Sequence, residues 1–89
     1  MRRGGRLVAS NLRSGHGEVD LLVAIDGRMV AVEVKTRVGE DPLIQLTTEK
    51  ERRMWEAAWR LRPRPSRIDV VAVRLDRSGV TIRWVPGVI

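Results

Sequence analysis

The dipeptide Asp26-Gly27, flanked on both sides by alternating apolar residues, most narrows what this chain can fold into. Between two such runs, aspartate followed by glycine marks a two-residue hairpin turn, because both turn positions take positive φ. With that loop, Ile25 faces Arg28, Asp20 faces Glu33 and Glu18 faces Lys35. Strand side chains alternate between faces. Val19, Leu21, Val23 and Ile25 therefore share one face with Val30, Val32 and Val34. The other face carries Glu18, Asp20, Leu22, Ala24, Met29, Ala31, Glu33 and Lys35, with its charge gathered away from the turn. Like charges directly opposite one another destabilise a sheet. Compensation is expected from a cation, and a lysine plus a divalent metal is the usual answer.

Composition sets the outer bounds. Eighty-nine residues make one small domain spanning 1–89, near the lower size at which a core sustains itself. Apolar content of 43% argues against wholesale disorder. The chain has no cysteine, which excludes disulfides and thiolate metal sites and fits a cytoplasmic protein. No apolar run approaches the ~18 residues that span a bilayer, and MRRGGRLVAS lacks the apolar stretch of a signal peptide. Of 17 basic residues only Lys35 and Lys50 are lysine, and the net charge is +6. Arginine pairs bidentately with phosphate, so the bias suits a nucleic-acid partner. A GC-rich genome would produce the same enrichment in any protein.

The pass along the chain gives the order β-β-β-α-β-β. A strand is expected over 6–13, a loop over 14–17, strands over 18–25 and 28–37, and a loop over 38–42. Thr48 with Glu51 three residues on is a capping-box signature that opens a helix to Leu61. Met54, Trp55, Ala58 and Leu61 form its apolar stripe, with Lys50, Arg53 and Arg60 off it. RPRPS ends the helix, since proline cannot continue the hydrogen-bond ladder. RIDVVAVRL is a buried strand, and residues 80–85 return beside it after a turn. A single helix leaves one face of such an α/β sheet without cover.

Asp20 and Glu33 facing each other, with Lys35 two residues on, supply what a hard divalent cation needs. Mg²⁺ takes oxygen ligands and is held by one or two carboxylates, waters and a substrate phosphate. The carbonyl of Val34 is a further candidate ligand, and its side chain points to the opposite face as an anchor. Lys35 is placed to offset charge on a transferring phosphoryl group. An ordinary exposed sheet end, with Glu18 and Lys35 paired and the acids solvated, accounts for the spacing equally well. The apolar Leu22, Ala24, Met29 and Ala31 on the same face set the acids at the margin of a covered surface instead.

The run GHGEVDLLVAIDGRMVAVEVKTR, continued by PLIQLTTEKERRMWEAAWRL and RIDVVAV, resembles the YraN family of small bacterial proteins over nearly the whole chain. Asp20 matches the first acid of its motif, Glu33-Val34-Lys35 the (D/E)XK part, and Thr36-Arg37 completes the EVKTR ending. The resemblance implies a restriction-endonuclease-like (PD-(D/E)XK) mixed sheet, similar to Holliday-junction resolvases. It also implies metal-dependent endonuclease chemistry on DNA with Mg²⁺ or Mn²⁺. Catalysis would fall to Asp20, Glu33 and Lys35, and metal binding to Asp20, Glu33, Val34 and Glu18. Family members begin with a helix, usually carrying a glutamate, before the strand at 6–13. This chain starts almost at that strand, so a truncated domain with an uncovered face is expected, and that face favours a homodimer.

Arg13 and Arg37 flank the acids in sequence and are candidate phosphate contacts. Lys50 and Arg53 sit where helix N–H groups also favour anions. His16, between two glycines, is a candidate contact or a solvated loop residue. Trp55 and Trp59 read as core or interface residues, and Asp69 as structural. Two further readings stay open: an inactive nucleic-acid-binding module, and a dimerising structural protein.

Overall fold

The computed structural model describes residues 4–15 and 17–88. Five strands form one sheet in the spatial order of the chain: β1 (Arg6–Ser14), β2 (Gly17–Ile25), β3 (Arg28–Val38), β4 (Arg67–Asp76) and β5 (Gly79–Val85). Neighbours run antiparallel except β3 and β4, which are parallel and joined through helix α1 (Thr48–Trp59). A parallel pair needs such a crossover, because a hairpin cannot reverse the chain twice. Among the described residues no helix is long and apolar enough to cross a membrane.

Local chemistry explains the elements. Asp26 and Gly27 both take positive φ, 50° and 75°, as the hairpin turn requires. The resulting register pairs Ile25 with Arg28 and Leu21 with Val32, as the alternation predicts. The helix is capped one residue earlier than expected: the side chain of Thr47, not Thr48, accepts from Lys50 N–H. An Ncap hydroxyl of this kind is worth about 1 kcal/mol. A short 3₁₀ turn over Pro42–Gln45, which the sequence pattern does not announce, is opened by Asp41, whose carboxylate accepts from Leu43 N–H.

Two apolar clusters lie on opposite faces of β3. On one, Ala57 and Ala58 of α1 meet Val19, Ala31 and Ile68, with Leu12, Met54, Trp55 and Leu61 around them. On the other, Val23, Ile25, Val30 and Val32 pack with Leu21, Val71 and Trp84. Val23, Val30 and Val32 are 0% exposed, so the face away from the helix is closed at its centre. The expected bare face is thus covered only in part: its centre is buried, while Val34, Val80 and Ile82, on the same face by alternation, are 38%, 62% and 68% exposed. The chain after β5 turns back towards it: Gly87 N–H reaches the carboxylate of Asp69, and Val88 N–H the carbonyl of Ile68.

The β1–β2 ladder is irregular: its register shifts between Leu7 and Ala9, and strict alternation also fails nearer the β1–β2 turn. Leu12 and Val19 face each other and both pack on the helix side, whereas Leu21, two residues on, packs on the other. Leu22 is back on the helix side opposite Ala31. The slip falls at Asn11 and Asp20, and Asn11 takes φ +53, a left-handed conformation that asparagine tolerates. Val19 therefore does not share a face with Leu21, Val23 and Ile25. Gly17 likewise turns to the helix, where an added Cβ would meet Ala57 Cβ at 2.9 Å.

Candidate active site

The site begins where β2 and β3 part. Their ladder ends at Leu21 and Val32. Beyond it β2 stays with β1, Glu18 opposite Arg13 and Gly17 opposite Ser14. β3 stays with β4 from Glu33 opposite Val70 to Val38 opposite Leu75. The sheet forks between them, and main-chain donors on the inner sides of the fork need other partners. Asp20 and Glu33 supply them reciprocally. Asp20 Oδ2 accepts from Val34 N–H at 2.8 Å, and Glu33 Oε1 accepts from Asp20 N–H at 3.4 Å.

The expected Asp20–Glu33 juxtaposition is therefore present, but across an opened fork rather than in a continuous ladder. Glu18 and Lys35 do not face each other, because the ladder stops before them. Val34 does turn its side chain away from the helix, opposite Val71, yet it is 38% exposed. It holds the strand through its N–H rather than as a buried anchor.

Glu33 is only 9% exposed. Burial pushes its pKa up to about 7, and the charge of Asp20 adds to the rise. The hydrogen bond from Asp20 N–H and the charge of Lys35 oppose it, while Glu18 contributes a further upward push. A carboxyl buried beside a second acid ionises at a cost, and a proton or a cation at Glu33 relieves it.

The donor set suits a small hard cation. Each carboxylate has a second oxygen besides the one holding the opposite strand, and two carboxylates are what Mg²⁺ commonly takes from a protein. Among the described residues no three acidic or histidine side chains converge as a cluster, so Glu18 stands as a neighbour and not as a third arm. Lys35 lies on the face of Glu33, since their β4 partners Ala72 and Val70 are buried on one side.

The candidate phosphate contacts fall into two groups. Arg13 lines a cleft with Gly15, Gly17 and Glu18. Arg53 lines an adjoining cleft of about 410 Å³, bounded by Ser14 and Gly17 from the sheet and by Arg52 and Arg60 from the helix side. Arg37 and Lys50 share a smaller cavity of about 70 Å³ with Lys35. Two of these cations have acidic company: Arg37 reaches Glu40 at 3.6 Å and Arg53 reaches Glu49 at 3.3 Å. His16 lies outside the described residues. Arg60 has no role in the sequence pattern; its only signal is its position seven residues after Arg53, on the same helix flank.

Asp69 is structural, as its sequence context implies. It is 0% exposed and accepts from Arg67, Trp84 Nε1 and Gly87 N–H. The Trp55 and Trp59 rings meet at a tilt of 42° with centroids 5.1 Å apart, and the Arg64 guanidinium lies 3.8 Å over the exposed Trp59 ring. Arg64 and Arg62 also donate to the Trp59 carbonyl at the helix end.

The profile of an uncharacterised protein family, UPF0102, matches residues 1–73. A UPF0102 protein of Clavibacter michiganensis subsp. michiganensis is 42% identical over 86 residues, covering 86% of this chain and 73% of that one. A UPF0102 protein of Symbiobacterium thermophilum is 39% identical over 85 residues, covering 85% and 72%. One from Aquifex aeolicus is 36% identical over 72 residues, covering 80% and 70%.

Proposed function

This chain belongs to the UPF0102 (YraN) family, and from that premise and its forked hairpin we propose a metal-dependent endonuclease of the restriction-endonuclease-like, PD-(D/E)XK class acting on DNA. The observation that carries the reading is the pairing of Asp20 and Glu33 across the gap between β2 and β3. Burial and the charge of Asp20 outweigh the Asp20 N–H and the Lys35 charge that oppose them, so the Glu33 carboxyl is pushed up to about 7 and the pair is left short of positive charge.

Asp20 and Glu33 would hold Mg²⁺ or Mn²⁺, with the Val34 carbonyl as a further donor and Glu18 beyond it. The bound ion supplies Lewis-acid polarisation of a phosphodiester and a water of lowered pKa. Lys35, on the face of Glu33, offsets charge that builds on the phosphoryl oxygens. Glu33 must give up its proton before it can ligate, so metal affinity rises with pH through about 7. Arg13 and Arg53 on one side, and Arg37 and Lys50 on the other, meet the flanking phosphates.

The test compares wild type with Glu33→Ala on branched and single-stranded DNA in Mg²⁺ or Mn²⁺. Calorimetric or spin-resonance detection of Mn²⁺ provides a readout separate from activity. Cleavage and Mn²⁺ binding by wild type, both abolished in the variant, are expected; equal cleavage by the two proteins would remove Glu33 from the mechanism. The convergence of only two carboxylates among the described residues favours a second reading, an inactive nucleic-acid-binding module. DNA binding without cleavage by wild type would select it.

A further inference from the structure

We infer that the cleft between the β1–β2 turn and the flank of α1 seats a backbone phosphate of a nucleic-acid strand, away from the position cleaved, with Arg60 as its principal contact. The inference rests on the reading of the chain as a protein acting on nucleic acid. The cleft of about 410 Å³ is lined by Arg52, Arg53 and Arg60, with Glu49 and Glu56 among them. Those carboxylates are engaged: Glu49 pairs with Arg52 at 2.7 Å and Arg53 at 3.3 Å, and Glu56 with Arg52 at 2.6 Å. Arg60 enters no ion pair among the described residues. Its guanidinium is the cleft's uncommitted cation.

Gly15 lies against that guanidinium. A Cβ on Gly15 would stand 2.5 Å from Arg60 Nη1, and Gly15 takes φ +61. Only glycine both adopts that conformation readily and leaves room for the arginine to lie against the turn. Gly17 does the same for the helix, whose Ala57 would meet an added Cβ at 2.9 Å. Ser14 completes the wall by donating its hydroxyl to the Ala57 carbonyl. These small residues let the sheet close onto α1 with Arg60 at the cleft's edge. Gly17 is also shared with the neighbouring cleft, where Arg13 and Glu18 stand. Glu18 is near enough to Glu33 to raise its pKa. A strand entering past Arg60 is thereby led by Arg13 towards the fork.

The test is binding of a short labelled single-stranded oligonucleotide across about 50 to 200 mM salt, because each phosphate neutralised by the protein adds about 0.7 to the salt slope for single strands. Arg60→Ala should reduce the slope by about that amount. Gly15→Ala, which leaves every charge in place, should weaken binding by displacing the guanidinium. Arg77→Ala, in the β4–β5 turn, removes the same charge elsewhere and should leave the slope near that of wild type. Equal slopes for wild type and Arg60→Ala overturn the inference while leaving nucleic-acid binding intact. Equal reductions from Arg60→Ala and Arg77→Ala overturn it too, since they report net charge alone. Displacement of the oligonucleotide by inorganic phosphate at matched phosphate concentration would make the cleft a small-anion site and overturn the strand assignment. Failure of wild type to bind any DNA would overturn the proposed function along with it.

Discussion

Two acids are buried in this sheet, and their surroundings are opposite. Asp69 accepts from the Arg67 guanidinium, the Trp84 indole and the Gly87 N–H. Burial alone would raise its pKa, but those donors together hold it below its ordinary 3.8. Glu33 has one main-chain donor at 3.4 Å and another carboxylate beside it. A buried carboxylate ringed by donors ties the chain together; one set beside a second carboxylate stores an unmet demand for positive charge. Their signs with pH differ accordingly. Asp69 stabilises the fold above its ordinary pKa of 3.8, and that contribution goes as the pH falls through its still lower folded value. Glu33 contributes fully below 4.5, and its contribution is lost as the pH rises through about 7.

The comparison breaks most visibly at Asp69. Asp69→Ala strands the Arg67 guanidinium, the Trp84 N–H and the Gly87 N–H, and should cost about 3–5 kcal/mol. For a domain of this size that lowers Tm by on the order of 15 °C or more. Thermal denaturation by circular dichroism checks it, and a loss below about 1 kcal/mol would deny Asp69 its role in holding the return after β5.

At Glu33 the sign should reverse. Glu33→Gln keeps an oxygen for Asp20 N–H and removes the charge, so it should stabilise the protein by about 1–2 kcal/mol at pH 8. At pH 4, below the ordinary 4.5 of the unfolded chain, the carboxyl is protonated in both states and the two proteins should melt together. Millimolar Mg²⁺ at pH 8 should raise the Tm of wild type and leave the variant unmoved. Equal melting of the two proteins at both pH values would show that the fork holds no strained charge.

Much of this arrangement was legible in the sequence, and the illegible parts share a cause. Asp26-Gly27 set the β2–β3 register from Leu21–Val32 to Ile25–Arg28, because a two-residue turn leaves a hairpin no freedom to slide. The helix and the β4–β5 pairing followed from spacing and from proline. Alternation on one strand, however, cannot tell where two strands stop being neighbours. β2 leaves β3 because β1 holds it through Arg13 and Ser14, while β4 holds β3 as far as Val38. The fork is thus made by the outer strands. The slip at Asn11 and Asp20 was hidden for the same reason, as it depends on one left-handed φ. The buried centre of the second face depended on long-range folding back that no local pattern records.

Asp20 gives a finer test, read as a titration. Its charge is the second cause of the rise at Glu33, after burial. Asp20→Asn retains an acceptor for Val34 N–H and should bring Glu33 down to a value between 4.5 and 7 by carboxyl-detected NMR. A Glu33 titration left at about 7 would assign the whole shift to burial and dissolve the pair as a unit.

The smallest expected effect belongs to Lys35. Its charge lowers the pKa of Glu33, but ranks below burial, Asp20 and the Asp20 N–H. Lys35 is also half-exposed, so solvent screens much of what it contributes. Lys35→Met keeps the aliphatic stem and removes the ammonium, and should move the Glu33 titration upward by less than Asp20→Asn moves it downward. The direction matters more than the size. An upward shift places the ammonium in the field of the acid pair, where it can meet phosphoryl oxygens brought to the fork. If Glu33 stays where it was, the ammonium points elsewhere, and Asp69 with Arg67 would be the only buried acid of the two to keep a cation in its field.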